Sequence, residues 1–495
     1  MRKAHPFRPH PPFAKAKGAF SRAAGEGIRT FVFAFFPGWP DVCVSSPMLW
    51  ERHGRHGREH RNRGRPSEIM ASTHILSPLR HAAVARIWSA LAFSALGDQL
   101  YIVALGFVAV EAFGPAAGYL SALRWAVMLA AALLGGSLAD RWNIRWSIVG
   151  ADLARAVILV VLVIAWTAAG TSSAALLALV IIVLALGEAV FEPALQAFVP
   201  ALVSDRRLLV STNGLFDATD RLARLLGPGL IALAASAIPV LHFFSLDAAS
   251  FLVSALAVAS IAGVDETRLT PLPAPSGLRA SLARGISAIR REPLLAYSFE
   301  VKSVTNGVWY AVFFLVLPLV ILREHIVKAD GAALAAYGLV ISCYGVSNLG
   351  ANLVVGSLPL PDRPAPRVLA GMLTTGTGIL LMAGACAAPL PQALRLPALA
   401  AASCVSGFGG PLQDITLASL RQTLIPEKDI APATRALLMM TCVGALAGML
   451  VAPGLVEIFG PIGVMVLGGA IYVASVIYGC LRRAVWRQAV QGEGG

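Results

Sequence analysis

The sequence predicts an all-α integral membrane protein with twelve transmembrane helices in two six-helix bundles. Three observations lead there. Apolar residues make up 57% of the 495-residue chain and charged ones only 14%, too little charge to clothe several soluble domains. Apolar runs long enough to cross a bilayer, which takes about 20 residues, recur from residue 84 to residue 482. Short motifs of the first half return in the same order in the second.

The first six spans are predicted at 84–110, 116–138, 146–167, 174–199, 211–236 and 240–263. The second six follow at 294–322, 331–356, 368–388, 397–420, 433–456 and 461–482, with an interruption expected in span 10 at Gly409-Gly410-Pro411. If both termini are cytoplasmic, the inner loops collect Arg80, Arg141, Arg145, Arg206, Arg207 and most other bases. The outer loops then hold only Arg323, Lys328 and Arg395. That is the positive-inside bias expected of an even number of spans.

Five segments result: an arm at 1–83, a bundle at 84–263, a linker at 264–293, a bundle at 294–485 and a cytoplasmic tail at 486–495. The arm is a different material from the rest. Residues 1–69 hold 13 of the 40 Lys and Arg but 5 of the 27 Asp and Glu, with prolines and no helical or strand period. Composition predicts disorder there, or a stretch upstream of a start at Met70. Because so much of the net charge of +13 sits in this arm, the body is not expected to bind nucleic acid. In the linker, Leu278, Leu282, Ile286 and Ile289 form an apolar stripe with Arg279, Arg284, Arg290 and Arg291 off it, as in a helix lying at a membrane surface.

The internal repeat is carried by three echoes. Asp140-Arg141 with Arg145 returns as Asp362-Arg363 with Arg367. Glu192-Pro193-Ala-Leu-Gln196 returns as Gly410-Pro411-Leu-Gln413, and Gly227-Pro228-Gly229 as Ala452-Pro453-Gly454. Such duplication is expected of a transporter.

Charges inside spans need a partner or a purpose, since each costs roughly 2.5–3.5 kcal/mol on insertion scales. Asp98 lies near the middle of span 1 with no base within a helical turn. A lone carboxyl there is cheaper protonated than charged; pairing across helices, with Arg124, is the alternative. Glu188 and Glu192 stand i, i+4 on one face of span 4, either as a proton relay or paired with the bases of span 5. Asp217 with Arg221 and Asp220 with Arg224 are i, i+4 pairs within span 5, and Asp152 with Arg155 is an i, i+3 pair in span 3. Asp247, Glu300, Lys302 and Asp414 are further polar residues inside spans. Depth ranks Asp98 first as the proton-carrying acid, with Glu188 or Glu192 second.

No catalytic motif for an enzyme is present: the chain lacks GxxxxGK[ST], GxSxG, HExxH and GxGxxG opening a soluble helix. The six cysteines are scattered without metal-ligand spacing, so no cofactor or metal is expected.

Gly136-Ser-Leu138-Ala-Asp140-Arg141-Trp-Asn-Ile-Arg145 resembles the loop signature of the major facilitator superfamily, roughly G-x-L-a-D-R-x-G-R-R/K. Phe191-Glu-Pro-Ala-Leu-Gln-Ala-Phe-Val-Pro200, Leu226-Gly-Pro-Gly-Leu230 and Leu246-Asp-Ala-Ala-Ser-Phe251 extend the resemblance over residues 75–485. The set looks like the branch of drug–proton antiporters that contains macrolide and enterobactin exporters. That resemblance implies a multi-pass transporter of the plasma or inner membrane, functional as a monomer. It would export a hydrophobic or amphipathic small molecule against protons by alternating access between two bundles. It also implies that Gly136, Asp140, Arg141 and Arg145 form a gate, and that Gly227, Pro228 and Gly229 bend span 5. The rivals are lysophospholipid flipping within the same branch and a non-transporting scaffold or receptor. A chain starting at Met70 is expected to reach the membrane in full-length amounts, as read by fractionation and blotting; loss of insertion would make the arm a functional part.

Overall fold

The computed structural model describes residues 77–134, 143–170, 173–203, 206–261, 277–327, 332–482 and 485–486, and every long element among them is an α-helix. The first half contains α1 (Ala82–Phe113), α2 (Ala117–Leu134), α3 (Ile144–Ala169), α4 (Ala174–Leu202), α5 (Arg206–Ala234) and α6 (Leu241–Ala259). A short α7 (Leu278–Arg291) precedes α8, which runs over Pro293–Arg323 with a π-helical turn at Val312–Val316. Then come α9 (Ala332–Ser357), α10 (Ala365–Ala387), α11 (Gln392–Leu424) and α12 (Glu427–Leu481). Most of the basic arm, together with Gly136, Asp140 and Arg141 of the expected gate, falls outside the described residues.

Among the described residues, eight stretches are long and apolar enough to cross a membrane. Two of them fold into two spans each. Residues Ala82–Leu133 turn at Gly114–Ala116, and Glu427–Leu481 turns at Gly460, whose φ of 69° is a left-handed backbone that glycine adopts without a Cβ penalty. Pro461 follows and cannot continue the preceding helix's hydrogen bonds. Helices α5 and α11, at 29 and 33 residues, also reach span length but carry more polar residues. The described residues thus yield the twelve spans expected.

Local chemistry sets the ends. The Asn143 side chain accepts from the backbone N–H of Arg145 at 3.0 Å and of Trp146 at 3.3 Å, capping donors that α3 leaves open. Ser173 does the same for α4 through the N–H of Leu176 at 3.2 Å.

Two readings are corrected. Helix α11 is continuous through Gly409-Gly410-Pro411. Gly409 instead admits Gly371 and Thr375 of α10, so that the two helices meet backbone to backbone. The α7 stripe, expected at a membrane surface, packs against protein. Ile289 is buried, and Leu282 and Ile286 pack against the core. Gly285 lies against the backbone of Pro432 in α12, and Arg435 donates to Ser281 at 2.6 Å.

Within the first half, α6 packs on α1 and α3, α3 on α4, α5 on α1, and α2 on α4. Within the second, α11 packs on α9 and α10, and the α12 arms pack on α8 and α10. The halves join where α2 meets α12 and where α5 meets α9. Let the near side be the membrane face at which α1 begins. Both joints include close contacts toward the opposite, far side: Gly118 against Leu315, Met449 and Pro453, and Gly338 against Pro228 and Ile231.

Gly338→Leu drives a side chain into Pro228, an overpacking that costs about 1–3 kcal/mol. The purified protein is therefore expected to unfold at a lower temperature. Gly229→Ala, whose Cβ meets only Ser342 at 3.5 Å, is expected to leave the transition where it is or raise it slightly.

Candidate functional site

The site starts from the polar face of α5. Asp217, Arg221, Arg224, Pro228 and Ile231 follow one another at i, i+4, i+7, i+11 and i+14, which is one helical face. Leu222, Leu226 and Leu233 lie about opposite and are 50%, 51% and 69% exposed, as suits a face in lipid. The charged face is exposed too, with Asp217 and Arg221 side chains at 61% and 58%. Farther along the same face, Pro228 and Ile231 are covered by α9 at Gly338. The charges therefore sit where the two halves have parted, below the far-side joint, in a cleft open to the near side.

Within the cleft the α5 charges neutralise one another as read from their spacing. Arg221 donates to Asp217 at 2.8 Å, and Arg224 donates to Asp220. The reading that these arginines serve Glu188 or Glu192 is corrected. Glu188 accepts from Arg124 of α2 at 2.7 Å, and exposed Glu192 has no ion pair among the described residues. Arg124 is thereby also taken from Asp98. Half-buried Asp98 makes no hydrogen bond or ion pair among the described residues. The charged groups around it are Arg155, Glu188, Asp152 and Arg124.

Behind Asp98 lies a closed polar core. Arg155 donates to Asp152, and both are buried. The guanidinium carbon stands 4.6 Å from the Phe191 ring centre and 4.2 Å from that of Phe251, a cation–π sandwich. Helix α5 runs unbroken through Gly227-Pro228-Gly229. Gly227 there takes the side chain of Gln99, the neighbour of Asp98, against its backbone. Of the expected gate, Arg145 alone is described; it donates to the carbonyl of Ala259 and so ties the start of α3 to the end of α6. In the second half, Lys302 pairs with Asp414 at 3.3 Å, and Glu300 accepts from Arg482 and from Tyr478.

Sequence reasoning missed the aromatic roof. Trp125 of α2 meets Tyr310 of α8 edge-on at 4.6 Å, across the joint between halves. Trp309 meets Tyr310 edge to face at 4.9 Å and donates to the Tyr344 hydroxyl at 3.0 Å; Phe313 meets Tyr344 at 4.8 Å. The signal was there in Trp309-Tyr310 and Phe313-Phe314, spaced i, i+4, but rings in a span read as ordinary hydrophobes. Together the roof offers π faces and the cleft wall offers paired charges, a surface suited to an amphipathic guest.

Arg124→Ala leaves Glu188 in a half-buried site without its base. Unfolding of the purified protein is expected to shift by about 1–2 kcal/mol, between the values typical of exposed and buried pairs. Arg221→Ala, in an exposed pair, is expected to shift it by under about 1 kcal/mol.

The family model described as Major Facilitator Superfamily matches residues 87–358, more than half of the chain. No curated protein matches it. Among solved structures, the nucleoside transporter NupG superposes with a TM-score of 0.63 at 13% identity, over 82% of this chain and 100% of that one. A POT family transporter in complex with a thioalcohol-conjugated peptide gives 0.59 at 13% identity, over 81% and 96%. At such identity the likeness is one of fold. Twelve helices in two halves, and a family match spanning the first half and beyond, lead to one statement: the chain belongs to the Major Facilitator Superfamily.

Proposed function

We propose that this protein is a secondary transporter that exports a hydrophobic or amphipathic small molecule in exchange for protons. The observation that carries the reading is Asp98, a carboxyl without hydrogen bond or ion pair among the described residues, in the middle of α1. A membrane-embedded acid kept without a base costs stability, and such groups mark ion and proton pathways. Asp98 also lies beside Gln99, which touches the α5 helix that lines the cleft, so a change in its charge bears directly on the wall between bundle and cleft.

Alternating access follows from the asymmetry of the joints. Contacts at the far side and charges bared below support a form open to the near side. Rocking the halves about the roof would part Trp125 from Tyr310 and bring the α5 stripe toward α9. With the near side taken as cytoplasmic, as the loop charges suggest, this cycle moves a guest outward while protons return. The resemblance to drug–proton antiporters supports the same direction, as does a cleft that combines rings with neutralised charge pairs. A plasma or inner membrane location and a monomer complete the proposal.

Asp98→Asn is expected to bind the guest and exchange it between equal compartments, but to lose at least tenfold in the accumulation that a pH gradient drives. Uptake into reconstituted vesicles over a panel of amphipathic compounds measures this. Wild-type accumulation in the variant would make Asp98 a structural residue. Fluorescent lysophospholipid in the same vesicles provides the competing substrate; its movement without any response to a pH gradient would replace export by flipping.

A further inference from the structure

The polar core behind Asp98 contains more acid than its base can serve. Asp247 on α6 is fully buried. The Ser250 hydroxyl, 2.8 Å from the Asp247 main-chain carbonyl, also stands 3.2 Å from Asp247 Oδ1, while Oδ2 is buried with no hydrogen-bond partner. Helix α6 packs on α1 and α3. From α1 the titratable groups facing Asp247 are Asp98 and Tyr101; from α3 they are Asp152 and Arg155. Glu188 of α4 stands farther out beside Asp98 and Tyr101, and it already holds Arg124. Among the described residues Arg155 is therefore the one base that faces all three of Asp98, Asp152 and Asp247, and its hydrogen bond goes to Asp152.

The route between Asp247 and the cleft is short. A Cβ built on Gly97 would fall 2.6 Å from Asp247 Oδ1 and 2.6 Å from Ser250 Oγ, so the backbone of α1 rests directly on the Asp247 carboxyl. Asp98 is the next residue. Three carboxylates around one guanidinium, closed in by Phe191 and Phe251, would leave a net charge of two in an apolar interior, where ions without partners are not sustained. Asp152 Oδ2 is bare as well, but Asp152 holds Arg155, whereas Asp247 has no base of its own; a proton taken up there removes one of the two excess charges.

We propose that Asp247 is a second proton-binding site, a buried carboxyl that receives a proton from Asp98 and returns it by the same path. The two carboxyls are not hydrogen-bonded to each other in this structure, so the transfer takes place when their side chains turn into contact. The O–H bond on Asp98 then breaks as the O–H bond on Asp247 forms, the charge of the pair is conserved, and Asp98 is freed to take another proton from the cleft. The first bundle then holds two exchangeable protons, of which Asp98 is the port and Asp247 the store. This rests on the reading of Asp98 as a proton-carrying acid.

Infrared difference spectroscopy of the purified full-length protein in lipid, at neutral pH, tests it without transport. Wild type is expected to show the C=O band of a protonated carboxyl that shifts slowly in heavy water. Asp247→Asn is expected to lose that band. Asp98→Asn is expected to keep it and slow its shift severalfold, and Ser250→Ala, which preserves the carboxyl, is expected to move its frequency. Circular dichroism and gel filtration show whether each variant is folded. Should Asp247→Asn not fold, the Ser250→Ala shift carries the assignment. A wild type without the band, a band that survives Asp247→Asn, or one unmoved in Ser250→Ala overturns the proposal. Proton uptake during transport is measured separately in vesicles, and its absence beside an intact, Asp247-dependent band would overturn the coupled-export reading instead.

Discussion

Hydrocarbon does not tolerate an unpaired charge, and that single constraint arranges most of what is distinctive in this chain. It explains why Arg155 is wedged between two aromatic rings with Asp152 in its grip, and why α5 shows leucines on one side and ion pairs on the other. It also locates the cleft. A helix with two exposed faces of opposite character has lipid on one side and water on the other, so the position of the ion pairs marks where water enters.

Close backbone contact at glycine is used both inside the halves and between them. Inside each half, glycines let helices touch along their backbones, as between α10 and α11, and such contacts separate only by dismantling the bundle. Between the halves glycines also bring backbones close, Gly338 against Pro228 and Ala232 and Gly118 against Met449, alongside rings such as Trp125 on Tyr310.

How much of this was legible in the sequence depends on distance along the chain. The twelve spans were legible because length and apolarity are local. The i, i+4 pairs of α5 were legible for the same reason. The partner of Glu188 was not, since Arg124 lies 64 residues earlier and only the meeting of α2 with α4 brings them together. Glycine and proline at 409–411 suggested a break, yet the same glycines serve packing, a choice that depends on the neighbouring helix. The stripe of α7 was read correctly as apolar; what it faces was not, because a bilayer surface and a protein groove ask for the same pattern. The roof escaped because rings are unremarkable in a span until their neighbours are known.

The π-helical turn of α8 has a geometric consequence. One residue more per turn than an α-helix takes shifts everything beyond it by about 100° around the axis. The part of α8 before Val312 directs Trp309 and Tyr310 inward to the roof, while Leu315, inside the turn itself, reaches Gly118 across the far-side joint. The angular offset is confined to the five residues Val312–Val316. Any loss or gain of a residue there would leave both ends of the helix intact and their faces out of phase.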